Sequence, residues 1–317
     1  MAGVSTSNNE HLIRSNLWSA EMKDILLADL FAQKWVRMLD FPDGDTLNMP
    51  TLGQFEVSNY VEGQPVKYTA MDTGNFTFTI NEYLQTGTYI TEKMKQDSFY
   101  MSQLVAAFIP KQMRSLSERM ESDVLKIGPS GQTAADLNSI NGAAHRWVAG
   151  GANGVITVQD FAKANYALDM ANVPRTNRVM IVHPSVEFTM NTLTNLVNVS
   201  NNPTWEGIVA SGFRTGLRFT KSIYGIDVYV SQFLPKITAG ETIGGVSVNT
   251  SGVANVCFSA AADVLPFVGS IRQAPKVDSE YNKDYQREEY VVTCRYGYKL
   301  FRPENLVTIL TATDQVG

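Results

Sequence analysis

Three histidines, His11, His145 and His183, are the only imidazoles in the chain, so a histidine-based acid–base or nucleophilic mechanism has few places to sit. His183 and Glu187 stand four apart and would share a helix face, but two ligands do not close a zinc or iron site, and a histidine just before Pro184 reads as a helix cap. Ser130 lies in Gly-Pro-Ser-Gly, which lacks the spacing of a nucleophile elbow and follows a helix rather than a strand. There is no phosphate-binding loop, dinucleotide fingerprint or His-Glu-x-x-His pair, and Gly150, Gly151 and Gly154 read as a flexible turn. Cys257 and Cys294 are far apart, fit no zinc spacing and read as buried, reduced thiols. Carboxylates gather at Glu118, Glu121 and Asp123, yet Arg114, Arg119 and Lys126 interleave with them, the pattern of a solvated helix face laced with ion pairs. No catalytic residue, cofactor site or metal site emerges from these types and spacings.

The elements around them are long and mostly not of the kind that frames a pocket. From Asn16 to Leu39, Leu17, Trp18, Met22, Ile25, Leu26, Leu30, Phe31 and Trp35 make a helix-like stripe. Asp45 to Thr91 is rich in Thr, Phe, Tyr and Val, alternates at Phe76–Ile80 and turns at Gly63-Gln-Pro65. Folded into two arms of ~20 residues at ~3.3 Å each, it would reach roughly 65 Å, beyond the ~50 Å width of a compact chain of this length. Such a ribbon is marginal alone and needs a partner surface. A helical period then runs from Met101 to Ile127 through Leu104, Val105, Phe108, Ile109, Met113, Leu116, Met120 and Val124, with Pro110 expected to bend or interrupt it and Gly128 to stop it.

From Gln132 to Pro266 the pattern is mixed α/β. It has a helix from Val158 to Ala171 capped by Thr157, a central strand Arg178–Val182, a helix from Pro184 to about Leu196, a glycine-spaced loop Gly207–Gly216, and two strands about Tyr224-Gly225. At the end, Tyr290, Val292, Cys294, Tyr296, Tyr298 and Leu300 share one face of an eleven-residue strand, about twice the usual length. Apolar residues make up 44% of the 317, enough for a substantial core, and 26 Lys and Arg stand against 31 Asp and Glu, net −5, without the basic surplus that grips nucleic acid. No run approaches the ~18 apolar residues of a membrane span, and Met1 to His11 is unlike a secretory signal.

The acidic and aromatic approach to Tyr296-Gly297, followed by Arg302-Pro303-Glu304 and a short apolar strand, resembles the C-terminal signature of tailed-bacteriophage major capsid proteins of the Hong Kong ninety-seven fold. Ile90-Thr-Glu92 leading into the long helix resembles that family's entry into its spine helix. The resemblance covers roughly Asp45 to Ile309 and implies an α+β fold with an N-terminal arm (1–44), an extended β-hairpin loop (45–92), a peripheral domain (93–131 and 268–300) and an axial α/β domain (132–267 and 301–317). It implies many copies meeting as pentamers and hexamers, a portal at one vertex, and double-stranded DNA enclosed without specific binding, and it leaves open whether a cement or decoration protein binds. The arm begins within about twenty residues of Met1, so a separate scaffolding protein is expected.

By the same resemblance, subunit contacts fall to Trp18, Phe31, Trp35, Gly63, Gln64, Pro65, Lys67, Phe76, Phe78, Arg302 and Glu304, and the DNA side to Lys111, Arg114, Arg119 and Lys126. Some relatives join subunits by a lysine–asparagine isopeptide bond, for which Lys67 and Asn305, with Glu304 as base, would be the reactive set. The expected place is the virion, assembled in the host bacterial cytoplasm, with no membrane. An encapsulin-type compartment shares the subunit fold, and an α/β enzyme with an atypical site is the rival of another class. Cargo content and sedimentation separate them.

Overall fold

The computed structural model describes residues 30–40, 44–53, 57, 59–65, 68, 73–97, 101–130, 137–192, 222–237, 242–243, 246–247 and 252–312. In chain order the main strands and helices are β1 (Val36–Met38), β2 (Thr46–Leu52), β3 (Thr73–Thr79), β4 (Glu82–Thr91), α1 (Glu92–Asp97), α2 (Met101–Ser130), β5 (Arg146–Val148), α3 (Val158–Met170), β6 (Arg178–Val182), α4 (Pro184–Thr192), β7 (Ser222–Ile223), β8 (Ile226–Val230), β9 (Gly252–Ser259), β10 (Phe267–Asn282), β11 (Arg287–Leu300) and β12 (Val307–Ala312). The mixed α+β architecture expected from the sequence is present.

Two sheets organise the chain. In one, the order is β1-β10-β11-β4, with β1 parallel to β10 and the other neighbours antiparallel. In the other, the order is β5-β12-β9-β6-β8-β7, and β6 is buried at all five positions, as an interior strand of alternating α/β packing requires. Helix α2 joins them. Its Leu116 and Met120 pack on Val292, Cys294 and Tyr296 of β11, while Val124 and Leu125, one turn on, pack with Phe258, Phe267 and Leu306 beside the second sheet. From Leu116 to Leu125 the helical period is therefore a core-facing stripe, and the helix passes Pro110 without interruption and runs on to Ser130.

Four expectations need correction. Among the described residues of the N-terminal stripe, the helix does not reach Leu39: Ala32–Trp35 is a single 3-10 turn, and Val36–Met38 pairs with Phe267–Gly269. A β-branched residue at a free sheet edge gains more from the ladder than from another helical turn. Residues 16–29, including Trp18, lie outside the described residues. The extended loop is not one long hairpin either, since β2 pairs β3 over seven residues a side, about 23 Å at ~3.3 Å per residue. The second arm leaves at Ile80, and β4 crosses into the first sheet beside β11, because its alternate residues bury against α2. Residues 36–38 and 82–91 thus belong to the sheet built by β10 and β11. Finally, β11 is fourteen residues long rather than eleven, beginning at Arg287, while the turn Pro303–Asn305 and the short strand β12 follow it as expected.

Local chemistry explains the joints. The register of β10 against β11 slips between Ile271 and Gln273 and again before Lys276, around Pro275, which has no amide hydrogen to give the ladder. Thr157 opens α3 as expected, and buried Asp160 does more than cap it. Its carboxylate accepts the Thr157 N–H at 2.8 Å, the Thr157 hydroxyl at 2.8 Å, the Gly150 N–H at 3.1 Å and the Trp147 indole N–H at 3.2 Å. Gly150 and Gly151 are therefore part of a closed loop around a carboxylate. Replacing Asp160 with Ala strands these donors, and we expect a loss of about 2–4 kcal/mol in chemical denaturation. A loss under ~1 kcal/mol would show that water replaces the carboxylate freely.

Candidate functional site

The projecting hairpin is tied to the body at its base and bare at its tip. Phe78 and Ile80 pack against Val268, and Phe78 has no exposed surface. Its assignment as a contact to a neighbouring subunit is therefore corrected: Phe78 anchors the hairpin to its own chain. Phe76 meets Phe301 edge to face at 5.0 Å, and the Lys299 ammonium stands 5.0 Å over the Phe76 ring while donating to the Thr77 carbonyl at 2.6 Å. Gly297 is required here, because a Cβ on it would sit 2.8 Å from the Thr79 oxygen and 2.9 Å from the Ile80 Cα. At the other end Gly63, Gln64 and Pro65 are exposed, as are Val57 (93%), Tyr60 (82%) and Tyr68 (91%). Lys67 lies outside the described residues.

Three of the expected contact residues do converge. Phe76, Arg302 and Glu304 line one cleft of about 410 Å³ with Thr51, Asn172 and Pro174, where the hairpin base, the corner after β11 and the end of α3 meet. Asn305, next in sequence, turns inward. Its carbonyl accepts the Ser259 N–H at 2.8 Å and its amide donates to the Ser259 and Val264 carbonyls. Only 2% exposed, it has no free amide for a neighbour's lysine, which corrects its place in the isopeptide set.

The described end of the N-terminal arm is clamped rather than free. Phe31 and Trp35 pack edge to face at 5.5 Å, and Trp35 meets Tyr229 at 5.0 Å and Phe258 at 5.6 Å. Beneath them the Glu121 carboxylate, fully buried, accepts the Phe31 N–H at 3.0 Å and the Ala32 N–H at 2.8 and 3.0 Å. Glu121 was expected on a solvated face, and that reading is corrected. The signal was available: Glu121, Leu125 and Gly128 are spaced as a second buried ridge beside Leu116, Met120 and Val124. The basic residues of α2 pair with carboxylates as expected, with Arg114 bonded to Glu118 at 3.0 Å, Arg119 to Asp123 at 3.1 Å, and Lys126 4.0 Å from Asp123, but Asp123 itself is mostly buried. Lys111 is exposed. Asp123 also accepts the Tyr296 hydroxyl at 2.7 Å; burial, then this carboxylate, pushes the Tyr296 pKa well up.

The described histidines and cysteines are largely buried in the fold. Ser185 donates its N–H to the His183 Nδ1 at 3.3 Å, the cap expected before Pro184, and burial followed by Lys236 lowers the His183 pKa. His145 is fully buried, and that burial lowers its pKa too. Burial pushes the Cys257 thiol up to about 12 and raises Cys294, so neither is a nucleophile at neutral pH. Among the described residues no group of three or more His, Cys, Asp or Glu is placed to hold a metal.

A family model described as phage capsid protein matches residues 75–309. The chain belongs to that family. Its fold is similar to that of a chain of Mycobacterium phage Che8 (TM-score 0.67, 15% identity, 93% of this chain and 96% of that one). It is also similar to the capsid of cyanophage P-SCSP1u (0.67, 15%, 98% and 95%) and to the capsid of Ralstonia phage GP4 (0.61, 12%, 94% and 95%). No curated protein matches the chain by sequence. As a phage capsid protein, this subunit is a structural component of the head shell and hence of the virion.

Two outcomes follow for the capsid subunit. Replacing Glu121 with Ala leaves the buried Ala32 N–H and the half-buried Phe31 N–H unpaired, costs about 2–4 kcal/mol, and makes the arm the first site cut in limited proteolysis. An unchanged cleavage pattern would show the clamp to be dispensable. Assembled particles boiled in reducing detergent should run as one band at 35.0 kDa, and a ladder would restore covalent joining by other residues.

Proposed function

We propose that this capsid subunit closes an icosahedral tailed-phage head by overlapping identical neighbours, arranged as pentamers and hexamers around enclosed double-stranded DNA. The observation that carries this reading is the hairpin tip: Val57, Tyr60 and Tyr68 are almost fully exposed on a segment whose base is locked into the body. An apolar tip held away from its own core has its natural cover on an adjacent copy. The cleft lined by Phe76, Arg302 and Glu304 is a second contact, and the arm running from the Glu121 clamp a third. Many modest contacts per subunit, closed by symmetry, hold a shell without any one being strong.

The DNA inside is contained rather than gripped. The chain is acidic overall, and Arg114, Arg119 and Lys126 lie beside carboxylates of their own helix. In this reading a separate scaffolding protein sets the shell's size, a portal occupies one vertex, and assembly takes place in the host bacterial cytoplasm. In this reading 93–131 and 268–300 form a peripheral domain and 132–267 and 301–317 an axial one, a division supported by the presence of two separate main sheets.

Negative-stain microscopy of the chain co-expressed with its scaffolding protein is the test. Closed particles of uniform size are expected, and particles from infected cells should protect DNA from nuclease. Small oligomers only would overturn the shell, and nuclease-sensitive particles filled with protein would favour a cargo compartment.

A further inference from the structure

Strand β4 ends its sheet, and among the described residues no strand pairs with its outer edge. It is a long edge, ten residues paired to β11 from Glu82 to Thr91 without a register shift. Natural proteins blunt such edges with lysine, proline or a bulge, because open N–H and C=O groups recruit another strand. β4 has none of these, and its single charge, Glu82, stands at one end. An edge this long and this bare is suited to being covered.

The sequence of β4 indicates by what. Reading outward from Thr86 in both directions gives Gln85 and Gly87, Leu84 and Thr88, then Tyr83 and Tyr89. Laid antiparallel against a second β4 with Thr86 opposite Thr86, each Tyr83 faces the other copy's Tyr89, and each Gln85 fills the space above a Gly87. Centring on Gln85 would set Tyr83 against Gly87, and centring on Gly87 would set Tyr89 against Gln85, so one register alone matches tyrosine with tyrosine twice. Tyr83 (59%) and Tyr89 (58%) are exposed on the sheet face turned away from α2, and Arg287 lies against Tyr89 from its own chain at 4.6 Å. Aromatic cross-strand pairs stabilise a ladder, and no like charges meet in this register.

We propose that β4 pairs with the β4 of a second copy across a two-fold axis through Thr86, joining two four-stranded sheets into one of eight strands. The contact is isologous, the same patch on both partners, and so it closes as a pair and does not propagate into a fibre. It rests on the shell reading only for its setting: a two-fold between neighbouring subunits supplies the second copy.

The test is Thr86→Cys in the full chain under a mild oxidant, with the products separated without reductant. The two introduced thiols, one from each copy, lose two protons and two electrons to the oxidant and form one disulfide. They are within reach because opposed Cα atoms in an antiparallel pair lie about 4.5–5.5 Å apart. The native Cys257 and Cys294 are buried and give no background. Most chains are expected to shift from 35.0 kDa to twice that mass, and Thr91→Cys, which does not face itself, is expected to stay single. Intact particles in which Thr86→Cys stays single would overturn the edge pairing and leave the shell standing, whereas a linked dimer without particles would keep the pairing and remove the shell. Should Thr86→Cys fail to fold, hydrogen exchange on the unaltered protein decides. Amides of Glu82–Thr91 that exchange as fast in particles as in dissociated subunits overturn the proposal, and severalfold slowing upholds it.

Discussion

Tyr296, buried between β11 and α2 with its hydroxyl on Asp123, marks the contact on which the other parts of this subunit depend. Around it Leu116 and Met120 of the helix lie on Val292 and Cys294 of the strand. Each such buried side chain contributes on the order of 1.5–3 kcal/mol, so the line as a whole holds the helix firmly on the strand. Everything that projects is fixed to one of its two members: the arm to Glu121 on α2, the hairpin to Gly297 and Lys299 on β11, and the bulged β10–β11 ribbon to β11 itself. The geometry between subunits is thereby referred to one rigid axis. A shell needs this, because an angular error in one projecting part repeats in every copy.

Two close approaches make the joints stiff. At Gly297 the hairpin base comes within a distance that no side chain would permit, and at Gly269 the Tyr298 ring and Val36 occupy the place a Cβ would take. The first sets the angle at which the hairpin leaves, and the second lets β1 lie flat beside β10. The arm and the hairpin are thus held by backbone proximity as well as by side chains, which leaves them little freedom to tilt.

The long helix, β11 with its buried alternate face, the central strand Arg178–Val182 and the Thr157 cap were all legible, because each is a local period or a local cap. What was not legible depended on which surface lay opposite. β4 alternates as any half-buried strand does, and nothing in its residues says whether it continues the hairpin or joins β11. Phe76 and Phe78 look alike in sequence, yet one rims a cleft and the other is the hairpin's root. Glu121 reads as one more surface carboxylate until two N–H groups from ninety residues earlier are found on it. Asn305, beside the exposed Arg302 and Glu304, is consumed by bonds to Ser259 and Val264. Long-range pairing of polar groups leaves no periodic trace.

The division between rigid axis and bare tip has a further consequence. An isolated subunit carries Tyr60, Tyr68 and Val57 in water together with the uncapped edge of β4, the two features most prone to indiscriminate association. The same features have value only when copies meet in one geometry. A subunit built in this way has to be kept apart from its copies until the geometry is imposed, and its net charge of −5 supplies only weak mutual repulsion. The scaffolding partner we propose would cover or space these surfaces during assembly. What makes the finished container stable is what makes the free subunit hazardous.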